Sequence, residues 1–213
     1  MDITIAKKVM GKNFIGPDEL LKISDDFPIK IMKRIPTINF DVQRLEKIKN
    51  DYVLILGSAK FANGQDLTIN KMRSKFGFNP AKKEPCFYNQ DWYLKEKFAS
   101  KTSLKFQWYL IRKKVVLETR GQDPKIVSQK LNTNKIFPTA ILTAYTFFAY
   151  YFLNNKQMLW KHDFVWCSDC DKNGDRIYTG RYQDPKKINK NGFNIHRHLS
   201  IRPCYGAVVQ IIK

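Results

Sequence analysis

The chain has 213 residues, 43% of them hydrophobic, which suffices for one full domain or two small ones with a buried core and excludes a disordered or fibrous chain. Four cysteines without a framework-like spacing, and an opening MDITIAKKVM with no continuous apolar stretch, argue against a disulfide-rich secreted protein; reduced thiols, no cleaved signal peptide and a cytoplasmic or virus-associated location are expected. Thirty-eight Lys and Arg against nineteen Asp and Glu give +19, a balance that attracts polyanions and admits nucleic acid as a partner, although the abundance of Lys, Asn and Ile also fits coding by an AT-rich gene.

Residues 1–50 hold several prolines and short mixed segments, with DVQRLEKIKN the clear helical stretch, and read as an N-terminal extension or small subdomain, either separate from or part of the domain formed by 51–213. DYVLILGS follows as a compact buried strand. In DLTINKMRSKFG, apolar Ile69, Met72 and Phe76 share a helical face between a capping Asp66 and a terminating Gly77. NQDWYLKEKFA predicts a second short helix carrying Trp92, Tyr93 and Phe98, and FQWYLIRKKVVL a strong strand. Residues 125–155 predict a helical region with Pro138 in its first turn, where a missing N–H is tolerated. Its apolar run FPTAILTAYTFFAYYFL approaches the length of a membrane span but carries three tyrosines and reads as a buried helix, so no membrane partner is expected. The last sixty residues switch to short strands separated by Asn-Gly and Asp-Pro turns and end in the apolar YGAVVQII, which needs a sheet to bury in and is expected to pair with the strand around Tyr52–Leu56 or with an N-terminal strand. The order of elements predicts an α+β fold rather than a doubly wound one.

The stretch WCSDCDKNGDRIYTG, residues 166–180, carries two overlapping metal signals. Cys167 and Cys170 have the C-x-x-C spacing of zinc thiolates, and Asp169, Asp171, Asn173 and Gly174 match the start of a calcium loop. Both matches are incomplete. Position twelve of the loop is Gly180 instead of a bidentate glutamate, and no second C-x-x-C supplies the remaining zinc ligands. A hairpin explains the stretch without metal, since DKNGD has the Asn-Gly signal of a tight turn between two segments rich in aromatic and β-branched residues. No metal site and no cofactor are expected.

Signatures of catalysis are sparse. There is no Gly-Lys-Ser/Thr phosphate loop, G-x-G-x-x-G, G-x-S-x-G or H-E-x-x-H. His196 and His198 sit two apart, on one face of a strand, where a general-base or ligand pair would stand. Alternation in a half-exposed strand gives the same spacing. A nuclease is the enzymatic alternative, because basic charge beside His and Asp is what phosphodiester cleavage uses.

The series FYNQDWYLKEKFA, WYLIRKKVV, FPTAILTAYTFFAYYFLNNKQML and WCSDCDKNGDRIYTGRYQDP resembles, in order and spacing, a group of microbial proteins with F-Y-x-Q-D-W-Y, W-x-L-I-R-K, P-T-A before a helix, and R-C-S-D-x-D-x-D-G-x-R-V-x-V-G. That group is similar to the variable proteins of diversity-generating retroelements, which use a C-type-lectin-like fold. The likeness covers roughly residues 86–185. It implies a non-enzymatic protein that binds a protein or surface ligand through side chains rewritten by adenine-directed mutagenesis on a fixed scaffold, with the chain ends brought together.

On this resemblance, Asp169, Asp171, Gly174, Arg176 and Gly180 match the scaffold, whereas Asp175, Tyr178 and Arg181 fall at the exposed, varying positions. Mutagenesis at adenines of AAC or AAT codons reaches Asn, Asp, Tyr, His, Arg and Ser but not Lys. It therefore adds Asn194, His196, Arg197 and His198 to the ligand-binding face and assigns Lys186, Lys187 and Lys190 to fixed loop structure. The chain departs from the group after Gly180, where INKNGFNIHRHLSIRPCYGAVVQIIK replaces the usual ending and GFNIHRHLSIRPCYGAV resembles the closing strands of lectin-like domains more generally. The alternative in another class is a basic nucleic-acid-binding protein or nuclease.

Overall fold

The computed structural model describes residues 1–182, 191–197 and 200–212. In chain order the elements are α1 (Ile3–Met10), β1 (Phe14–Ile15), α2 (Pro17–Lys22), α3 (Val42–Ile48), β2 (Tyr52–Leu56), α4 (Ile69–Phe76), α5 (Lys97–Ser100), β3 (Trp108–Arg112), α6 (Pro124–Lys130), β4 (Lys135–Ile136), α7 (Ala140–Leu153), β5 (Phe164–Cys170), β6 (Arg176–Tyr182), β7 (Gly192–Arg197), β8 (Tyr205–Gly206) and β9 (Gln210–Ile211). The fold is α+β. A five-stranded sheet has the order β1-β2-β3-β9-β4, and a four-stranded sheet the order β7-β6-β5-β8.

Local chemistry accounts for the helix ends. Asp2 caps α1 by accepting from Thr4 N at 2.7 Å, and Asp41 caps α3 by accepting from Arg44 N at 2.7 Å. The helix over 69–76 forms as the periodicity predicts and stops at Gly77, whose φ of 74° suits glycine, but its cap is Thr68 rather than Asp66. Thr68 holds the extended backbone that lets its hydroxyl accept from Lys71 N at 3.3 Å, while Asp66 pairs with Lys60 instead.

Long-range partners override propensity elsewhere. The helix predicted over NQDWYLKEKFA is a run of turns, and only Lys97–Ser100 is helical. Gln90 and Trp92 are held by β7, each donating to Ile195 O, the Trp92 Nε1 bond at 3.2 Å. The single region expected over 125–155 is two helices with β4 between them, and Pro138 precedes the Thr139 cap of α7 instead of lying in its first turn. The terminal strand joins the sheet that contains β2 but does not touch it. β2 already has β1 and β3 on its two sides, so β9 pairs antiparallel with β3, Leu110 opposite Ile211, and with β4, Lys135 opposite Ile211.

The core is built on α7. Every residue from Ala140 to Tyr151 is buried, as expected of a helix that is apolar all round. Tyr145 OH donates to Leu56 O at 2.9 Å in the first sheet, and Thr143 Oγ1 accepts from Thr179 Oγ1 at 2.9 Å in the second, so the helix ties the two sheets together. Phe148 stacks on Phe76 at 4.0 Å between ring centroids, and Phe147 lies 5.0 Å from Phe193. One continuous apolar cluster runs from Ala6 to Ile211 and includes Leu20, Phe27 and Leu45, so residues 1–50 pack into the same core. With 14 residues α7 is about 21 Å long, and among the described residues no helix is long and apolar enough to cross a membrane.

Candidate functional site

The hairpin of β5 and β6 pairs Trp166 with Tyr178 and, after an irregularity, Cys170 with Arg176. Asp171 builds its turn. Its Oδ1 accepts from Asn173 N at 2.8 Å and Asp175 N at 2.9 Å, Asp175 O accepts from Asp171 N at 2.9 Å, and Gly174 takes a φ of 86°. Asp171 Oδ1, which matches a calcium ligand in the sequence, thus serves the backbone, while Oδ2 pairs with Arg197. Burial alone would raise the Asp171 carboxyl, but the hydrogen bonds from Arg197 and from the backbone N–H groups of Asp175 and Asn173 outweigh it and hold the group below the usual range.

The other scaffold positions also take framework roles. Asp169 Oδ2 accepts from Ala140 N at 2.6 Å at the start of α7, and burial pushes its carboxyl up despite that bond. Arg176 donates to Cys167 O at 2.9 Å and lies 5.4 Å from the Phe137 ring centroid. A Cβ on Gly180 would stand 2.1 Å from Asp163 O, so only glycine fits. Cys167 is buried against Thr179 with its thiol pushed up by desolvation, while Cys170 is exposed. Among the described residues no group of three or more His, Cys, Asp or Glu side chains is placed to hold a metal ion.

The seven residues assigned to the ligand-binding face divide. Tyr178, Arg181 and Asn194 are buried, which corrects the exposure expected of them. β6 lies between β7 and β5, so both its edges are paired, and its two faces are covered as well. Tyr178 sits among Phe164, Trp166 and Tyr205, with its hydroxyl 3.1 Å from that of Tyr205. Arg181, on the other face, donates to Glu84 Oε1 at 2.7 Å, and Asn194 accepts from the Gln90 amide. Asp175, His196 and Arg197 are part-exposed. His198 lies outside the described residues, as do Lys186, Lys187 and Lys190.

The part-exposed three form a rim where β6 and β7 meet the Asp171 turn, and Trp92 joins them. His196 stacks on Tyr178 with ring centroids 5.5 Å apart and planes 9° from parallel, and its centroid is 6.3 Å from that of Trp92. The Arg197 guanidinium pairs with Asp171 and lies 4.9 Å from the Trp92 ring centroid. That hydrogen bond, with the nearby charges of Asp171, Asp175 and Glu96, raises Arg197 further above the usual arginine value. Glu96 in turn accepts from Lys172 N at 3.0 Å, fixing the turn from the far side. Trp92, Gln90, Glu96 and Glu84 were not among the expected site residues. The first three lie in FYNQDWYLKEKFA, which reads locally as a helix, so no local signal marks the distant partners that hold it in turns. A groove of about 290 Å³ lined by Pro36, Asn39, Phe40, Gln107 and Trp108 belongs to the first sheet and includes none of the rim residues. The rim offers a mixed surface of aromatic faces, a guanidinium and a carboxylate, which suits contact with a ligand surface. Comparison with family models, with curated proteins and with solved structures found no match for this chain.

Proposed function

We propose that the chain is a non-enzymatic ligand-binding protein of C-type-lectin-like type whose presented surface is the rim of Asp175, His196 and Arg197 beside Trp92. The observation that carries this reading is the division across the β5–β6 hairpin and its neighbour β7: part-exposed polar and aromatic groups at the rim stand beside a backbone fixed by Asp171, Asp169, Arg176 and Gly180. Such a scaffold holds its form while Asp175 and His196 change, whereas a change at Arg197 also removes its ion pair with Asp171. The lectin-like assignment rests on the sequence resemblance; the early strand β1 and the late strand β9 share one sheet but are separated by β2 and β3, and a second sheet carries the hairpin. Diversification by a retroelement then acts on fewer positions than the codon rule alone allows, because Tyr178, Arg181 and Asn194 are tied into the interior.

Sequencing this gene across related isolates tests the reading. The expected result is a concentration of substitutions at the codons of Asp175, His196 and Arg197, few at Tyr178, Arg181 and Asn194, and a near-copy of this region beside a reverse transcriptase gene. Substitutions spread evenly over the chain, with no such near-copy, would overturn it.

A further inference from the structure

We propose that one end of the five-stranded sheet, apart from the rim, is a patch that binds the phosphate backbone of nucleic acid through Lys12, Arg44, Lys49, Arg112, Lys113 and Lys114. The sheet brings these cations together. β1 runs parallel to β2 with Phe14 opposite Leu54, so the chain at Lys12 enters the sheet beside the start of β2. Tyr52 is opposite Arg112, and Lys113 and Lys114 continue from the same strand end, Lys113 N donating to Asp51 O at 2.8 Å. From α3 the charge of Arg44 acts on Tyr52, and Lys49 O accepts from Asn13 Nδ2 at 2.6 Å. The buried Asn13 is the hub: its Oδ1 also accepts from Lys113 Nζ at 2.9 Å and from Tyr150 OH at 3.4 Å.

Like charges are crowded here beyond what the local acid offsets. Burial, then the charge of Lys12, and also that of Lys114, hold the Lys113 ammonium below the usual lysine range, with Asp51 opposing them. Arg112 Nε is buried without a hydrogen-bond partner, while Lys12, Lys49 and Lys114 are exposed. A bound anion relieves this repulsion. Three adjacent strands span about 10 Å, a length over which a duplex presents about six phosphate charges. The aromatic groups beside the patch, Tyr52 and Tyr150, are buried and give bases nothing to stack on, so the contact is to the backbone and independent of sequence. The cations come from a helix, a turn and a strand end, not from one amphipathic helix of the kind that lies in a lipid headgroup layer.

Titration of the full chain with a short duplex of arbitrary sequence at a series of salt concentrations tests this. Each phosphate neutralised contributes about 0.9 to the slope of log affinity against log salt. The variant K12Q/K49Q/K114Q, all at exposed positions, should lower that slope by about 2.7, whereas K71Q/K75Q/K95Q, which removes equal charge from other exposed positions, should leave it nearly unchanged. If the first variant melts early, K114E alone keeps the test readable, with weaker duplex binding expected at every salt concentration. Equal losses from both triple variants, no binding of duplex by the full chain, or binding to vesicles of phosphatidylserine and phosphatidylcholine but not to duplex would each overturn the proposal.

Discussion

In the five-stranded sheet, Tyr52–Leu56 is buried at every position and reads so in the sequence, as an unbroken apolar run. In the four-stranded sheet, β6 is equally interior and yet carries Thr179 and Arg181, both buried. The first strand is buried by its own hydropathy, and the second by its neighbours: Thr179 is covered by Thr143 and Cys167, Arg181 by Glu84. A polar residue in a strand therefore says little about exposure until its place in the sheet is known. The practical consequence is that a binding face read from residue type alone includes framework, and half of the six described candidates, Tyr178, Arg181 and Asn194, are framework.

The largest test of the comparison is at its apolar end. Phe148 is fully buried against Phe76, Phe87, Phe147 and Phe193, and Phe148→Ala should lower stability by about 3–5 kcal/mol in urea unfolding. A smaller loss would mean that α7 does not organise both sheets. Next, Arg181→Leu leaves the Glu84 carboxylate without its ion-pair partner and should cost about 2–4 kcal/mol, the partial exposure of Glu84 reducing the full penalty of a broken buried pair. Replacing both with apolar residues should recover much of that loss; a double variant as unstable as the single one would show that Arg181 acts through other contacts.

Asp171→Asn keeps the turn acceptors but removes the ion pair with Arg197, and should cost about 1–2 kcal/mol at neutral pH. Its effect depends on pH in a fixed direction. The folded carboxyl titrates below its ordinary 3.8, so its contribution is present above that value and is lost as pH falls through the depressed folded value. The stability of D171N and of the native protein should therefore converge in acid, and a gap that widens there would contradict the assignment. At the small end, Asp175→Ala should change stability by no more than about 0.5 kcal/mol.

Much of the architecture was legible in the sequence because it rests on contiguous signals. The buried strand at Tyr52–Leu56, the apolar run that becomes α7, the short helix ended by Gly77 and the DKNGD turn each depend on neighbours within a few residues. What could not be read depends on partners far along the chain. Gln90 and Trp92 reach Ile195 across more than a hundred residues and so hold their segment in turns, and the terminal strand finds β3 because β2 has both sides taken. At the candidate site, Asp169, Asp171, Gly174, Arg176 and Gly180 match framework roles, while the burial of Tyr178, Arg181 and Asn194 followed from strand order, which no local pattern encodes.

The division between rim and framework is tested most directly by comparing the urea unfolding of two double variants, D175S/H196S and Y178S/R181S. The first should stay within about 1 kcal/mol of the native protein, because both side chains are part-exposed, and the second should lose at least about 4 kcal/mol or fail to fold, since it empties an aromatic cluster and breaks a buried ion pair. Equal losses in the two variants, or a larger loss in the first, would contradict the assignment of Asp175 and His196 to a tolerant, ligand-facing rim.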